Sequence, residues 1–260
     1  MKWSKDPYRK PLVLRGARQV GKTTAVAAFA KNFKQYIYLN LENPADRDAF
    51  ILTKGIQALV ESIFISKGKD TQHGGDTLVF IDEIQQVPGA LNMLRYFYEE
   101  YPQIKVIAAG SLLETILNKN TQVPVGRIDY RVMRPVSFPE FLGAIDKKQA
   151  LRELRKIPVN GFAHSTLLGL FHTYALIGGM PEVVNRYAST NSVSSLSPVY
   201  EQLIKSYMDD VEKYGRNDTL IKVIRHCIRA CFTEAGKRIK FQHFGQSQYN
   251  SREIGESLRL

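Results

Sequence analysis

The eight residues Gly16-Ala17-Arg18-Gln19-Val20-Gly21-Lys22-Thr23 constrain this chain more than any other part of it. They match a Gly-x-x-x-x-Gly-Lys-Thr loop at every fixed position, and such a loop belongs between a strand and the start of a helix. Both flanks are present. Pro11-Leu12-Val13-Leu14-Arg15 is a short apolar run that reads as a buried strand. Thr24 to Phe33 is alanine-rich, with Val26, Ala27 and Phe29 to pack inward, and reads as a helix. The glycines let successive backbone N–H groups converge, and the helix adds its positive end, so the loop is suited to phosphate groups. Gly16, Ala17, Arg18, Gln19, Val20, Gly21, Lys22, Thr23 and Thr24 are the candidate nucleotide contacts. Lys22 can reach β- and γ-phosphates, and the Thr23 hydroxyl can ligand Mg²⁺.

Leu78-Val79-Phe80-Ile81-Asp82-Glu83 supplies the complementary half. A carboxylate at the end of a buried strand can hold Mg²⁺ through its water shell, and a second beside it can polarise an attacking water. Asp82 is the metal-side acid and Glu83 the base. The adjacent glutamate separates the chain from small-molecule kinases, which have no need of a water-activating base there. Asn118-Lys119-Asn120-Thr121 lacks the aspartate of a guanine-reading Asn-Lys-x-Asp stretch, so the nucleotide expected is ATP. Val106-Ile107-Ala108-Ala109-Gly110-Ser111 ends another strand on a small polar residue. If that strand lies between the loop strand and the Asp-Glu strand, Ser111 points toward the γ-phosphate. The same serine equally suits the N-cap of a helix over Leu112–Leu117.

Further strands read at Tyr36–Leu41, Thr77–Ile81 and Tyr130–Met133, with helices at Asp46–Ile65 and Leu91–Glu100. Apolar strands without alternation, alternating with helices, predict an α/β fold: a parallel sheet with helices on both faces. After Pro135 the pattern turns helical almost to Glu234, which places a domain boundary there. The expected domains are 1–135 as the loop-bearing core, 136–235 as a helical lid region, and 236–260 as the start of a further one. The last ten residues, Ser251 to Leu260, read as an amphipathic helix that stops, leaving Ile254, Leu258 and Leu260 without a cover and suggesting a longer parent chain.

The formal net charge is +11, which suits an anionic partner or simply a solvated basic surface. Cys227 and Cys231 are four residues apart, a poor match to a zinc site, and read as small buried apolar side chains in a reducing compartment. No signal-peptide stretch or bilayer-length apolar run is visible, so the expected location is cytoplasmic with no membrane partner.

The stretches Arg9-Lys10-Pro11-Leu12 and Leu14 to Thr24 resemble the prokaryotic AAA-family ATPases of the Orc/Cdc6-related, archaeal-type branch. So do Phe80 to Gln85, Ala109-Gly110-Ser111, Gly126-Arg127, Arg134 to Leu142, and Gly178-Gly179-Met180-Pro181-Glu182. The resemblance implies an AAA+-like P-loop sheet in the order 5-1-4-3-2, an α-helical lid region, ATP with Mg²⁺ as ligand and cofactor, and a C-terminal domain of unknown function. It also implies a winged-helix-like character for the segment from 236. It suggests Arg127 as an arginine completing a γ-phosphate site, in cis or from a neighbouring subunit, against the plain alternative of a structural ion pair. Ala109 stands where relatives often have threonine, so one sensor hydroxyl is missing.

Three roles remain open on the sequence, one of them plain ATP sequestration with no turnover. ATP turnover can drive or switch a process on nucleic acid, with Lys222, Arg225 and Arg229 spaced to share one helix face and Lys237, Arg238 and Lys240 following. Alternatively, the chain is a nucleotide-dependent switch acting on a protein partner or a second copy of itself.

Overall fold

The structure, a computed structural model, describes residues 2–110, 126–215 and 217–259. The chain divides into two compact units, Met1–Pro135 and Val136–Leu260.

In the first unit five strands pair in parallel: β1 (Leu12–Arg15), β2 (Gln35–Asn40), β3 (Thr77–Asp82), β4 (Lys105–Ala109) and β5 (Asp129–Val132). Their order is β2-β3-β4-β1-β5, which from the far edge is the expected 5-1-4-3-2. The chain leaves β1 past β4 and β3 to reach β2, then returns strand by strand. Right-handed crossovers therefore put the first helix on one face and its successors on the other. Leu12, Leu78, Phe80, Ile107 and Ala109 pack with Val26 and Ala30 of α1 (Lys22–Ala30). Val13, Ile37, Val79, Ile81, Val106 and Ala108 pack in the opposite layer. There they meet α2 (Pro44–Leu52), α3 (Ile56–Ser66) and α4 (Ala90–Glu100) through Phe50, Leu59, Ile63, Leu94 and Phe97. With both faces covered, β3 is buried along its whole length, which is why it reads as an unbroken apolar run.

The single helix expected over 46–65 is two. Thr53, extended at ψ 138°, is the C-cap of the first, and Gly55, at φ +89°, is the N-cap of the second. Asn43 caps α2, its side-chain oxygen accepting from the Ala45 N–H, and Pro44 occupies the first turn.

The second unit is helical. It runs through α5 (Phe138–Ala144), α6 (Lys148–Leu154), α7 (Gly161–Ile177), α8 (Pro181–Thr190), α9 (Ser197–Tyr214), α10 (Asp218–Glu234) and α11 (Ser251–Ser257). Ser137 and Glu140 form a reciprocal capping box at α5, so the Ser-Phe-Pro-Glu stretch is a helix start. Phe141, Leu142, Leu167, Val183, Leu196 and Leu203 lie in one core. Val223, Cys227, Ala230, Phe244 and Ile254 form another.

That second cluster revises the reading of the C-terminal residues. Ile254 is covered within the chain and Leu258 packs partly buried against the same cluster, because residues after α10 turn back onto that helix; Leu260 lies outside the described residues. His243, Gly245 and Gln246 take positive φ in that turn. A Cβ on Gly245 would lie 2.3 Å from the Ala230 Cβ, so only glycine permits the approach. The cysteines also differ from one another: Cys227 is buried and Cys231 exposed. Burial pushes the Cys227 thiol up to about 11, with Cys231 adding to the shift. Among the described residues no helix is long and apolar enough to cross a membrane.

Candidate functional site

The loop between β1 and α1 turns on three residues with positive φ: Gly16 (+143°), Gln19 (+63°) and Gly21 (+87°). Gly16 cannot be replaced without rearrangement. A Cβ there would sit 2.2 Å from the Met133 carbonyl oxygen. Val20 is buried, 1% exposed, while Ala17, Gln19, Thr23 and Thr24 are exposed. Gly21 caps α1 without a side-chain acceptor, so no cap occupies the first N–H groups of the nine-residue helix. Helix starts of this kind accept phosphate oxygens.

Lys22 folds back into the loop, and its Nζ donates to the carbonyls of Gly16 (2.8 Å) and Ala17 (2.9 Å). Burial lowers its pKa, Glu83 and Asp82 oppose that, and Arg18 adds to it. The ammonium therefore sits ready in the loop, held by neutral oxygens that a phosphate would outcompete.

Two segments 59 residues apart meet at one hydrogen bond: the Thr23 hydroxyl donates to Asp82 Oδ2 at 2.7 Å. Asp82 is only 7% exposed. Burial raises its pKa, which the Thr23 hydrogen bond opposes. Oδ1 accepts from the Glu83 N–H at 3.1 Å, and the Tyr38 hydroxyl lies 3.4 Å from Oδ2. Burial and the Asp82 charge push the Tyr38 phenol up to about 12, so it stays a donor. A hydroxyl and a carboxylate at this spacing are the hard oxygen pair that Mg²⁺ accepts alongside water and phosphate oxygens.

Glu83 follows in a left-handed conformation (φ 51°, ψ 44°), opening a one-turn helix over Ile84–Gln86. The Gln85 amide Nε2 donates to Glu83 Oε2.

The loop, Lys22, Thr23, Asp82 and Glu83 are thus gathered at the C-terminal edge of the sheet. β4 does lie between β1 and β3, the condition set for Ser111, but Ser111 itself and the helix over Leu112–Leu117 fall outside the described residues. Arg127 is not brought to the site within one chain. It precedes β5, whose first residue Asp129 is level with Leu12 at the start of β1, whereas the loop follows Arg15 at its end. Four residues of strand, roughly 13 Å at ~3.3 Å each, separate the two edges. Arg127 instead pairs with Glu99, Nε to Oε1 at 2.8 Å, and Glu99 also accepts from Arg95. The in-cis form of that expectation is corrected to an ion pair at the opposite edge.

Three contacts escaped the sequence reading: Tyr38 on Asp82, Gln85 on Glu83, and Met133 behind Gly16. The first was legible only through register, since β2 pairs Tyr38 with Phe80 and so sets it diagonal to Asp82. Gln85 had a local signal, a long amide side chain two residues after the candidate base.

A family model described as an AAA domain matches residues 8–142. A second, described as a domain of unknown function (DUF8612), matches residues 168–260. No curated protein matches the chain. Among solved structures, Cdc6p from Pyrobaculum aerophilum aligns at 13% identity and a TM-score of 0.33, covering 54% of this chain and 42% of that one. A Drosophila ORC structure bound to DNA aligns at 16% identity and a TM-score of 0.38, covering 99% of this chain and 64% of that one. The chain therefore spans less than two thirds of the length of either, and at these scores neither likeness carries an argument.

Proposed function

Because the chain belongs to the AAA domain family, we propose that it binds ATP with Mg²⁺ at Gly16–Thr23 and hydrolyses it, with Glu83 as the base. The observation that carries this reading is the 2.7 Å hydrogen bond from Thr23 to Asp82, which sets a metal-suited oxygen pair beside a buried lysine. On binding, Lys22 exchanges the Gly16 and Ala17 carbonyls for β- and γ-phosphate oxygens. The first-turn N–H groups of α1 take the remaining oxygens. Thr23 and Asp82, now hydrogen-bonded to each other, are the residues that would hold Mg²⁺. Mg²⁺, when bound, supplies positive charge against the oxygens of the transferring phosphoryl group. Glu83 accepts a proton from the attacking water. Arg127 enters only from a neighbouring subunit, after release from Glu99.

Phosphate release from purified protein, with Mg²⁺ and with EDTA, tests the reading alongside Asp82→Asn. The wild type should turn over only with Mg²⁺. The variant should require a higher Mg²⁺ concentration for half-maximal rate, because a neutral amide is a weaker partner for a hard cation. An unchanged Mg²⁺ requirement would remove Asp82 from the metal site.

Nucleic acid is the target we propose for the turnover, with a cytoplasmic setting and the basic surface of α10 as contact. Lys222 and Arg229 are exposed there, and Lys237, Arg238 and Lys240 follow in an exposed run. Arg225 is less available, since its Nη2 lies 3.2 Å from Glu212 Oε1. Replacing Lys222, Arg225 and Arg229 with glutamine should flatten the log–log salt dependence of duplex binding by about two units, at ~0.9 per phosphate. Fluorescence anisotropy at several salt concentrations reads this. No duplex binding at low salt would favour the other reading, a switch acting on a protein partner or a second copy of the chain.

A further inference from the structure

We propose that Gln85 is a positioning residue for Glu83, fixing the carboxylate of the base through its side-chain amide. The inference rests on the reading of Glu83 as the base and adds the group that holds it.

Glu83 occupies a left-handed backbone position, and three rotatable side-chain bonds are left to orient its carboxylate. Among the described residues, no side chain of its own strand is hydrogen-bonded to that carboxylate. Asp82 spends its two oxygens on Thr23 Oγ1 and on the Glu83 N–H, and Tyr38 faces Asp82. Asn40, level with Asp82 on β2, uses its side-chain oxygen to accept from the Glu42 N–H. The Gln85 side chain does reach the Glu83 carboxylate, its Nε2 donating to Oε2.

The turn that carries Gln85 is itself pinned. Ile84 is 1% exposed and Val87 6%, and the Gln86 N–H donates to the Glu83 carbonyl at 2.9 Å. The amide therefore has a rigid base from which to hold its partner. Its other end is unusual: Oε1 is buried and has no partner among the described residues. A buried amide oxygen left unpaired is costly, so the position does not favour glutamine for stability. A leucine of similar size would fill the same space without an orphaned acceptor. The feature glutamine alone adds is the donor on Glu83. Catalytic bases depend on such fixation, because misplacement by about 1 Å can cost roughly 10²-fold in rate.

The test uses Gln85→Leu and Gln85→Glu in the full chain, with ATP affinity by calorimetry and the chemical step by single-turnover hydrolysis. Gln85→Leu should lower the single-turnover rate roughly 10- to 100-fold with ATP affinity unchanged within about twofold. Gln85→Glu should lower it further, because a second carboxylate displaces the first by like-charge repulsion instead of holding it. In a Glu83→Gln background, Gln85→Leu should change the remaining rate by less than about twofold, since the two residues act as one unit. Wild-type turnover in Gln85→Leu, or an equal loss with and without Glu83, would overturn the inference while leaving Glu83 as the base. A loss of ATP affinity matching the loss of rate would also overturn it, by showing a structural role. Wild-type turnover in Glu83→Gln alone would instead bring down the underlying reading of the site.

Discussion

Lys22→Ala is expected to weaken ATP binding at least about 100-fold, close to abolition at micromolar protein. Each charge-assisted hydrogen bond from an ammonium to phosphate contributes about 1.5–3 kcal/mol, and the side chain can make two or more. A 100-fold loss corresponds to about 2.7 kcal/mol, just under the roughly 3–6 kcal/mol that two such bonds supply, which makes it a lower bound. The fold should survive. Without nucleotide, Lys22 donates only to the Gly16 and Ala17 carbonyls in a loop at the sheet edge. Calorimetric titration with ATP, beside a circular dichroism melt of both proteins, separates the two quantities. Equal ATP affinities would place the nucleotide somewhere other than this loop.

Glu83→Gln should behave in the opposite way. Affinity for ATP is expected to hold, because the loop, Lys22 and the Thr23–Asp82 pair are untouched. The hydrolysis rate should fall by roughly 10²–10⁴-fold, the range for losing a general base. Glutamine fills the same volume, so the change tests proton acceptance and not packing. Filter binding of labelled ATP together with single-turnover hydrolysis measures both. A variant that hydrolyses at the wild-type rate would reduce Glu83 to a carboxylate at a strand end.

Much of this was written in local sequence. The loop glycines, the lysine and threonine after them, and the apolar run ending in Asp82 and Glu83 each announce themselves within ten residues. Their chemistry depends on backbone geometry that the same residues impose. The parallel sheet followed from strands buried on both faces, β3 most clearly, while its order came from family likeness and not from periodicity.

What local sequence did not carry is whatever depends on two distant segments meeting. The break at Thr53–Gly55 was hidden by apolar residues on both sides that suit one long helix as well as two. Arg127 sits near a strand, and nothing local says which end of the sheet that places it at; only the pairing of Asp129 with Leu12 does. Tyr38 needed the register of β2 against β3 to be seen near Asp82. Ile254 looked uncovered because its partners, Val223 and Cys227, lie about thirty residues earlier on the far side of an irregular turn.

Gly16 has a consequence in mechanical terms. The space where its side chain would stand is filled by the carbonyl of Met133, and the Met133 N–H donates to the carbonyl of Arg15 at 2.7 Å. The start of the loop is thereby keyed to the end of β5 from both sides. Two residues later, Pro135 closes the first unit and the chain continues as the second. A phosphate that shifted Gly16 would press on the Met133 carbonyl, so loading of the loop would be felt first at the end of β5 within the first unit.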